Sequence, residues 1–256
     1  MPALEIPAFG APAAVRAAAS GATRIELNAQ GSYAQGGITP TSQDLARFAA
    51  AADPAVSVRV MIRPRGPPAS GGRDFVYSEA EIEGMEASIR GFLALGLLCP
   101  ERGDGFVFGV LAEDGVGERC WVDVERCARL VVAARPFRCV FHRAFDEVVS
   151  ACPGAWGAGL EAVAACGFDG ILTSGGVGRA VDHISVLGDI IRKARDLRVE
   201  IIVGGGVRTG NVGELTRGLG GAGLAWLHSA CLRPGGEDVD PAEVEGLVAR
   251  LGRRRD

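Results

Sequence analysis

Apolar residues along this chain follow two alternating periods. In short runs rich in Val, Ile and Phe every second side chain is apolar. In longer Ala- and Leu-rich runs, apolar side chains recur every three to four positions. The first pattern predicts strands at Leu4–Ala8, Thr23–Asn28, Val56–Arg63, Gly105–Leu111, Phe137–Arg143, Gly170–Ser174, Glu200–Gly204 and Leu224–Ser229. The second predicts helices at Pro12–Ser20, Ser42–Ala52, Ser78–Leu95, Asp123–Ala134, Gly157–Cys166, His183–Asp196, Asn211–Leu219 and Pro241–Leu251. Alternation of this kind implies βα units on a parallel sheet. Eight such units in 256 residues predict a closed (β/α)8 TIM barrel. The first turn, AFGAPAA, lacks the GxGxxG that a doubly wound nucleotide-binding sheet would place there. No linker interrupts the series, so residues 1–256 are expected to form one domain, with 252–256 a frayed basic tail.

Strands of a parallel barrel are covered on both faces, so a charge inside one is informative. In the third strand Val58, Val60 and Ile62 share the face expected to meet the helices, and Arg59, Met61, Arg63 and Arg65 share the other. Arg24, Glu26 and Asn28 repeat this in the second strand, and Glu5 in the first. The fifth ends FHRAFD, bringing His142, Arg143 and Asp146 to the end where barrel active sites lie. The sixth ends in Thr173 and Ser174, the seventh in Gly204, Gly205 and Gly206, and the eighth carries His228 and Ser229. Clustered arginines suit a planar or tetrahedral anion, and a glycine turn after the seventh strand suits main-chain contact with phosphate. The plainer alternatives are a buried structural pair for Arg59, a tight turn for the glycines and a satisfied core imidazole for His142.

Composition narrows the class. A net charge of −4 argues against a protein that grips nucleic acid through its charge. No apolar stretch is long enough to span a bilayer, and the N-terminus lacks the pattern of a secretory signal. Seven cysteines without a CxxC pair read as free thiols in a reducing cytosol.

The strings VMIRPRG…DFVYS, FHRAFD, ILTSGG, IIVGGGV and LHSA, in that order, together with LEIPAF, RIEL and GGITP, resemble the CutC family of copper homeostasis proteins over nearly the whole chain. The resemblance implies a TIM barrel, an oligomer such as a homodimer or homotetramer, a cytoplasmic location (with the nucleus a further one in animals) and a role in copper handling, with Cu(I) as the candidate ligand. It also gathers Glu26, Arg63, Arg65, His142, Arg143, Asp146, Thr173, Ser174, Gly205 and His228 around one pocket. One departure stands out: many relatives read IELC where this chain reads IELN, so Asn28 replaces a thiol.

Two functions from different classes follow. One is copper homeostasis by binding of Cu(I), which selects soft ligands; Cys231 with His228 is the candidate half-site. The other is an enzyme acting on a small anionic metabolite. There Arg63 and Arg65 hold a carboxylate or phosphate, Arg143, Thr173, Ser174 and the glycine turn assist, and Glu26 or Asp146 with His142 does acid/base work. No organic cofactor is indicated. No lysine lies in a predicted barrel strand, which argues against Schiff-base chemistry.

Overall fold

The computed structural model describes residues 2–69, 71–114, 119–152, 154–233 and 235–252. Its strands are β1 (Ala3–Phe9), β2 (Arg24–Asn28), β3 (Ser57–Met61), β4 (Gly105–Phe108), β5 (Leu111–Glu113), β6 (Cys120–Val122), β7 (Arg138–Phe141), β8 (Gly170–Thr173), β9 (Glu200–Val203) and β10 (Trp226–His228). Its α-helices are α1 (Ala11–Ala19), α2 (Ser42–Ala51), α3 (Glu79–Ala94), α4 (Val124–Ala134), α5 (Ala144–Ala151), α6 (Trp156–Ala165), α7 (Ile184–Asp196), α8 (Val212–Leu219) and α9 (Pro241–Gly252). Eight strands close a parallel barrel in the order β1-β10-β9-β8-β7-β4-β3-β2. The TIM barrel expected from the alternation is the fold observed.

The alternation sorts side chains between two cores. Ile6, Ile25, Val58, Val60 and Phe106 point outward and pack under the helices. Inside the barrel Met61, Val107, Val140, Leu172 and Ile202 meet as a separate apolar plug, with Trp226 against it. Burying each of these contributes roughly 1.5–3 kcal/mol. Beside the plug lies an ionic layer: Arg24 Nε donates to Glu5 Oε2 at 2.5 Å, Nη1 donates to Glu200 Oε1 at 3.1 Å, and the guanidinium lies 3.6 Å over the Trp226 ring. Arg59 is buried as well, but its Nε and Nη1 have no partner. Burial and the charge of Arg24 lower its pKa to about 10. The plain pairing considered for Arg59 is therefore not what forms. It fits because position 105 is glycine: a Cβ there would lie 3.0 Å from Arg59 Nη1 and 2.0 Å from the Arg138 carbonyl oxygen.

Helix starts follow local chemistry. Thr41 and Ser78 cap α2 and α3, each exchanging bonds with the acid three residues on, Asp44 and Glu81. Two regions depart from the sequence reading. The strand expected over Gly105–Leu111 ends at Phe108, and Leu111 begins an antiparallel β5–β6 hairpin. The last three residues of FHRAFD and the stretch after them, read without a helix, form α5, whose first turn holds Asp146 and Glu147. Gly252 closes α9 rather than opening a tail, and 253–256 lie outside the described residues. Among the described residues no helix is long and apolar enough to cross a membrane.

Candidate functional site

A cavity of about 510 Å³ opens at the C-terminal ends of the barrel strands. Glu26, Met61, Leu172 and His228 reach it from the strands, Arg63, His142, Arg143, Gly205, Gly206 and Arg208 from the turns that follow them, and Asp146 from the first turn of α5.

Glu26 and His228 line it, and Glu5 stands behind His228. β1 and β10 pair so that Glu5 stands opposite His228, and His228 Nδ1 lies 2.7 Å from Glu5 Oε1. Burial alone would raise the Glu5 carboxyl, but Arg24 and His228 outweigh it and hold it at about 2. Burial likewise opposes charge on His228, yet the bond to Glu5 and the charges of Glu26 and Glu5 raise its pKa. Arg24, Glu5 and His228 thus form a hydrogen-bonded line from the ionic layer to the mouth. Glu26 differs. It accepts one bond, from Asn28 Nδ2 to Oε1 at 3.1 Å, while Oε2 is buried without a partner. Burial, aided by the nearby Glu5 charge, pushes its pKa up against the pull of His228. A carboxyl held toward its neutral form at a cavity wall can donate a proton and take it back.

The other expected site residues divide. His142 is on the wall, but no carboxylate orients it. Its Nδ1 accepts from the Ala144 amide at 3.3 Å, its ring stacks near Phe75, and its Nε2 has no partner. Burial and the charge of Arg63 lower its pKa to about 3, so it is a neutral donor rather than a base. Asp146 is occupied: it accepts from Thr173 Oγ1 at 2.5 Å, from the Ser174 amide and hydroxyl at 3.0 Å each, and from Arg143 Nε at 2.7 Å. The acid/base pairing expected of Asp146 with His142 is replaced by Glu5 with His228. Thr173 and Ser174 brace Asp146 from behind the wall, and Gly204 also lies off the lining.

The arginines are corrected most. Arg63 borders the cavity, but Nη1 donates to the carbonyls of Gln35 (2.5 Å) and Gly37 (2.8 Å), and Nη2 to Asp74 (2.7 Å). It ties the loop before α2 to the loop after β3. Arg65 does not reach the cavity; it bonds Glu81 at 2.6 Å and the Val76 carbonyl at 2.8 Å. Arg208, which the strand pattern did not single out, does line it. Its place four residues after Gly204, in the turn after the seventh barrel strand, was the available signal.

Metal-binding chemistry concentrates at the same mouth. One ligand atom from each of Glu5, Glu26 and His228 lies within 4.8 Å of the others. Oxygen and imidazole donors suit a divalent ion better than Cu(I), which favours sulfur. Among the described residues no cysteine lines the cavity, and Met61 is the one thioether there. Cys231 is buried away from the lining, 3.3 Å from Ser229 Oγ, and burial pushes its thiol up to about 11. The Cys231–His228 half-site therefore does not form, and the residues present do not make a thiolate site for Cu(I).

Fold and mouth together define a (β/α)8 barrel with a cavity walled by acid, imidazole and guanidinium groups. The chain belongs to the CutC family, whose model matches residues 4–232. A family protein CutC of Mesorhizobium japonicum is 36% identical over 234 residues, covering 91% of this chain and 79% of that protein. The human copper homeostasis protein cutC homolog is 35% identical over 217 residues, 85% of this chain and 70% of the relative. A solved CutC structure from Streptococcus agalactiae superposes with a TM-score of 0.70 at 26% identity, covering 90% of this chain and 99% of the other. N-(5'-phosphoribosyl)anthranilate isomerase of Pyrococcus furiosus shares the fold, with a TM-score of 0.58 at 14% identity over 98% of both chains.

Proposed function

We propose that this chain serves copper homeostasis, as its human and mouse relatives are named for, and that its working part is a pocket that binds a small anionic metabolite and moves a proton on it. The observation that carries this is the set of buried polar atoms left without partners. Among the described residues four of these atoms, Glu26 Oε2, His142 Nε2, Arg63 Nε and Arg208 Nη1, belong to residues lining this cavity, while those of Arg24, Asn28, Arg59 and Tyr77 lie off its lining. Each buried group without a bond costs about 1–3 kcal/mol, a cost that a polar guest reaching these groups would relieve. Glu26 is the acid/base group, His142 a neutral donor to a developing negative charge, and the Arg24–Glu5–His228 line the fixed background. Seven free thiols suit the reducing cytosol in which we place the protein.

Direct Cu(I) binding is the second reading, favoured by the names of those relatives and opposed by the donor set. One preparation tests both. Wild type and Glu26→Gln are incubated in deuterated buffer with a panel of small carboxylates and phosphate esters, and exchange into carbon-bound positions is read by mass spectrometry. Wild type is expected to label at least one compound and Glu26→Gln none. No labelling by wild type, or equal labelling by both, rejects the proton-transfer role. Anaerobic Cu(I) titration against a chelator should find no tight equivalent; one Cu(I) per chain would favour the second reading.

A further inference from the structure

We propose that Arg208 and the main-chain N–H groups of Gly205, Gly206 and Val207 form a phosphate subsite at this mouth, seating the anionic group of the ligand whose other end reaches Glu26. This rests on reading the mouth as a metabolite pocket.

Three arginines line the cavity. Arg63 is held by Asp74 and two carbonyls, and Arg143 by Asp146, Ser174 and the Gly178 carbonyl. Arg208 has no acidic partner among the described residues, and its Nη1 is buried without a hydrogen bond. A guanidinium kept partly out of water with no counter-charge lacks a compensation that an arriving anion would supply.

The turn before it is anchored on one side only. The Gly205 carbonyl accepts from the Ala180 amide at 2.9 Å, the Gly206 carbonyl from Asn211 Nδ2 at 2.8 Å, and the Val207 carbonyl from Ser229 Oγ at 2.6 Å. Among the described residues the amides of Gly205, Gly206 and Val207 donate to nothing. Gly205 and Gly206 take φ of 103° and 70°, a turn conformation that glycine adopts without strain. A Cβ on Gly205 would also stand 2.7 Å from the Ser174 Cβ, so the turn closes against the β8 end only with glycine there. Gly205, Gly206, Val207 and Arg208 all line the mouth, so three amides without an acceptor and one guanidinium without a counter-charge lie along one stretch of its rim. That stretch suits a tetrahedral oxyanion more than a metal or a neutral group.

The test titrates the full chain with inorganic phosphate in low-chloride buffer, followed by ³¹P NMR. Saturable binding by wild type is expected, weakened about tenfold or more in Arg208→Gln, partly recovered in Arg208→Lys, and unchanged in Arg65→Gln, whose side chain is outside the cavity. Should Arg208→Gln fail to fold, phosphate must instead protect Arg208 of wild type from phenylglyoxal, read by peptide mass spectrometry. Absence of saturable binding, binding unaffected by Arg208→Gln, or no protection overturns the subsite. The deuterium assay on Glu26 is read separately from phosphate binding, so the proton-transfer reading can survive that result, and the subsite can survive its failure.

Discussion

His142 and His228 line one cavity and titrate in opposite directions. Around His142 there is burial and an arginine but no acid, and its pKa falls to about 3 from 6.5. His228 has Glu5 at 2.7 Å, and its pKa rises. The linkage consequences are opposite too. Between pH 6.5 and about 3 the unfolded chain takes a proton that folded His142 refuses, so this residue makes stability fall as pH falls through that window. A ring with a raised pKa, like His228, stabilises below its unfolded value and loses that contribution as pH rises. In urea unfolding at pH 7, 5 and 4, His142→Asn should therefore show a shallower acid loss of stability than wild type. An equal slope would mean that His142 is already charged in the fold.

At this scale the sequence was partly readable. Alternation placed Glu26 and Arg63 on the inner face, and the strand end placed His142 at the mouth, where all three stand. It did not reveal that Arg63 was already engaged. Its partners, Asp74 and the carbonyls of Gln35 and Gly37, come from loops whose course no periodicity dictates. Glu5 looked like one more alternating polar residue, because its meeting with His228 depends on the closing register between the first and last strands.

Among the elements, strands were easier to read than the connections between them. The period-2 runs gave the eight barrel strands, since both inner and outer cores need alternation. The β5–β6 hairpin was hidden because Leu111 prolongs the apolar run of β4, with the break at Gly109 as the only interruption. There a Cβ would stand 2.8 Å from His142 Nδ1. Helix α5 was hidden because its first residues read as the end of a strand. The inner plug supports a direct test: Ile202 is wholly buried among Met61, Val107, Val140 and Leu172. Ile202→Ala should cost about 2–5 kcal/mol, read as a lower urea midpoint. A loss under about 1 kcal/mol would show that the plug relaxes to fill the space.

At the scale of the whole molecule we propose a homodimer or homotetramer, following the family resemblance. Light scattering should then give two or four times the 26.5 kDa chain mass at micromolar concentration. A value equal to one chain would reject it.

The apolar stopper across the barrel's interior has a kinetic corollary. Met61, Val107, Val140, Leu172 and Ile202 fill the cylinder below the cavity, whose floor includes Met61 and Leu172. Under the proton-transfer reading proposed above, product and substrate are therefore expected to compete for this mouth.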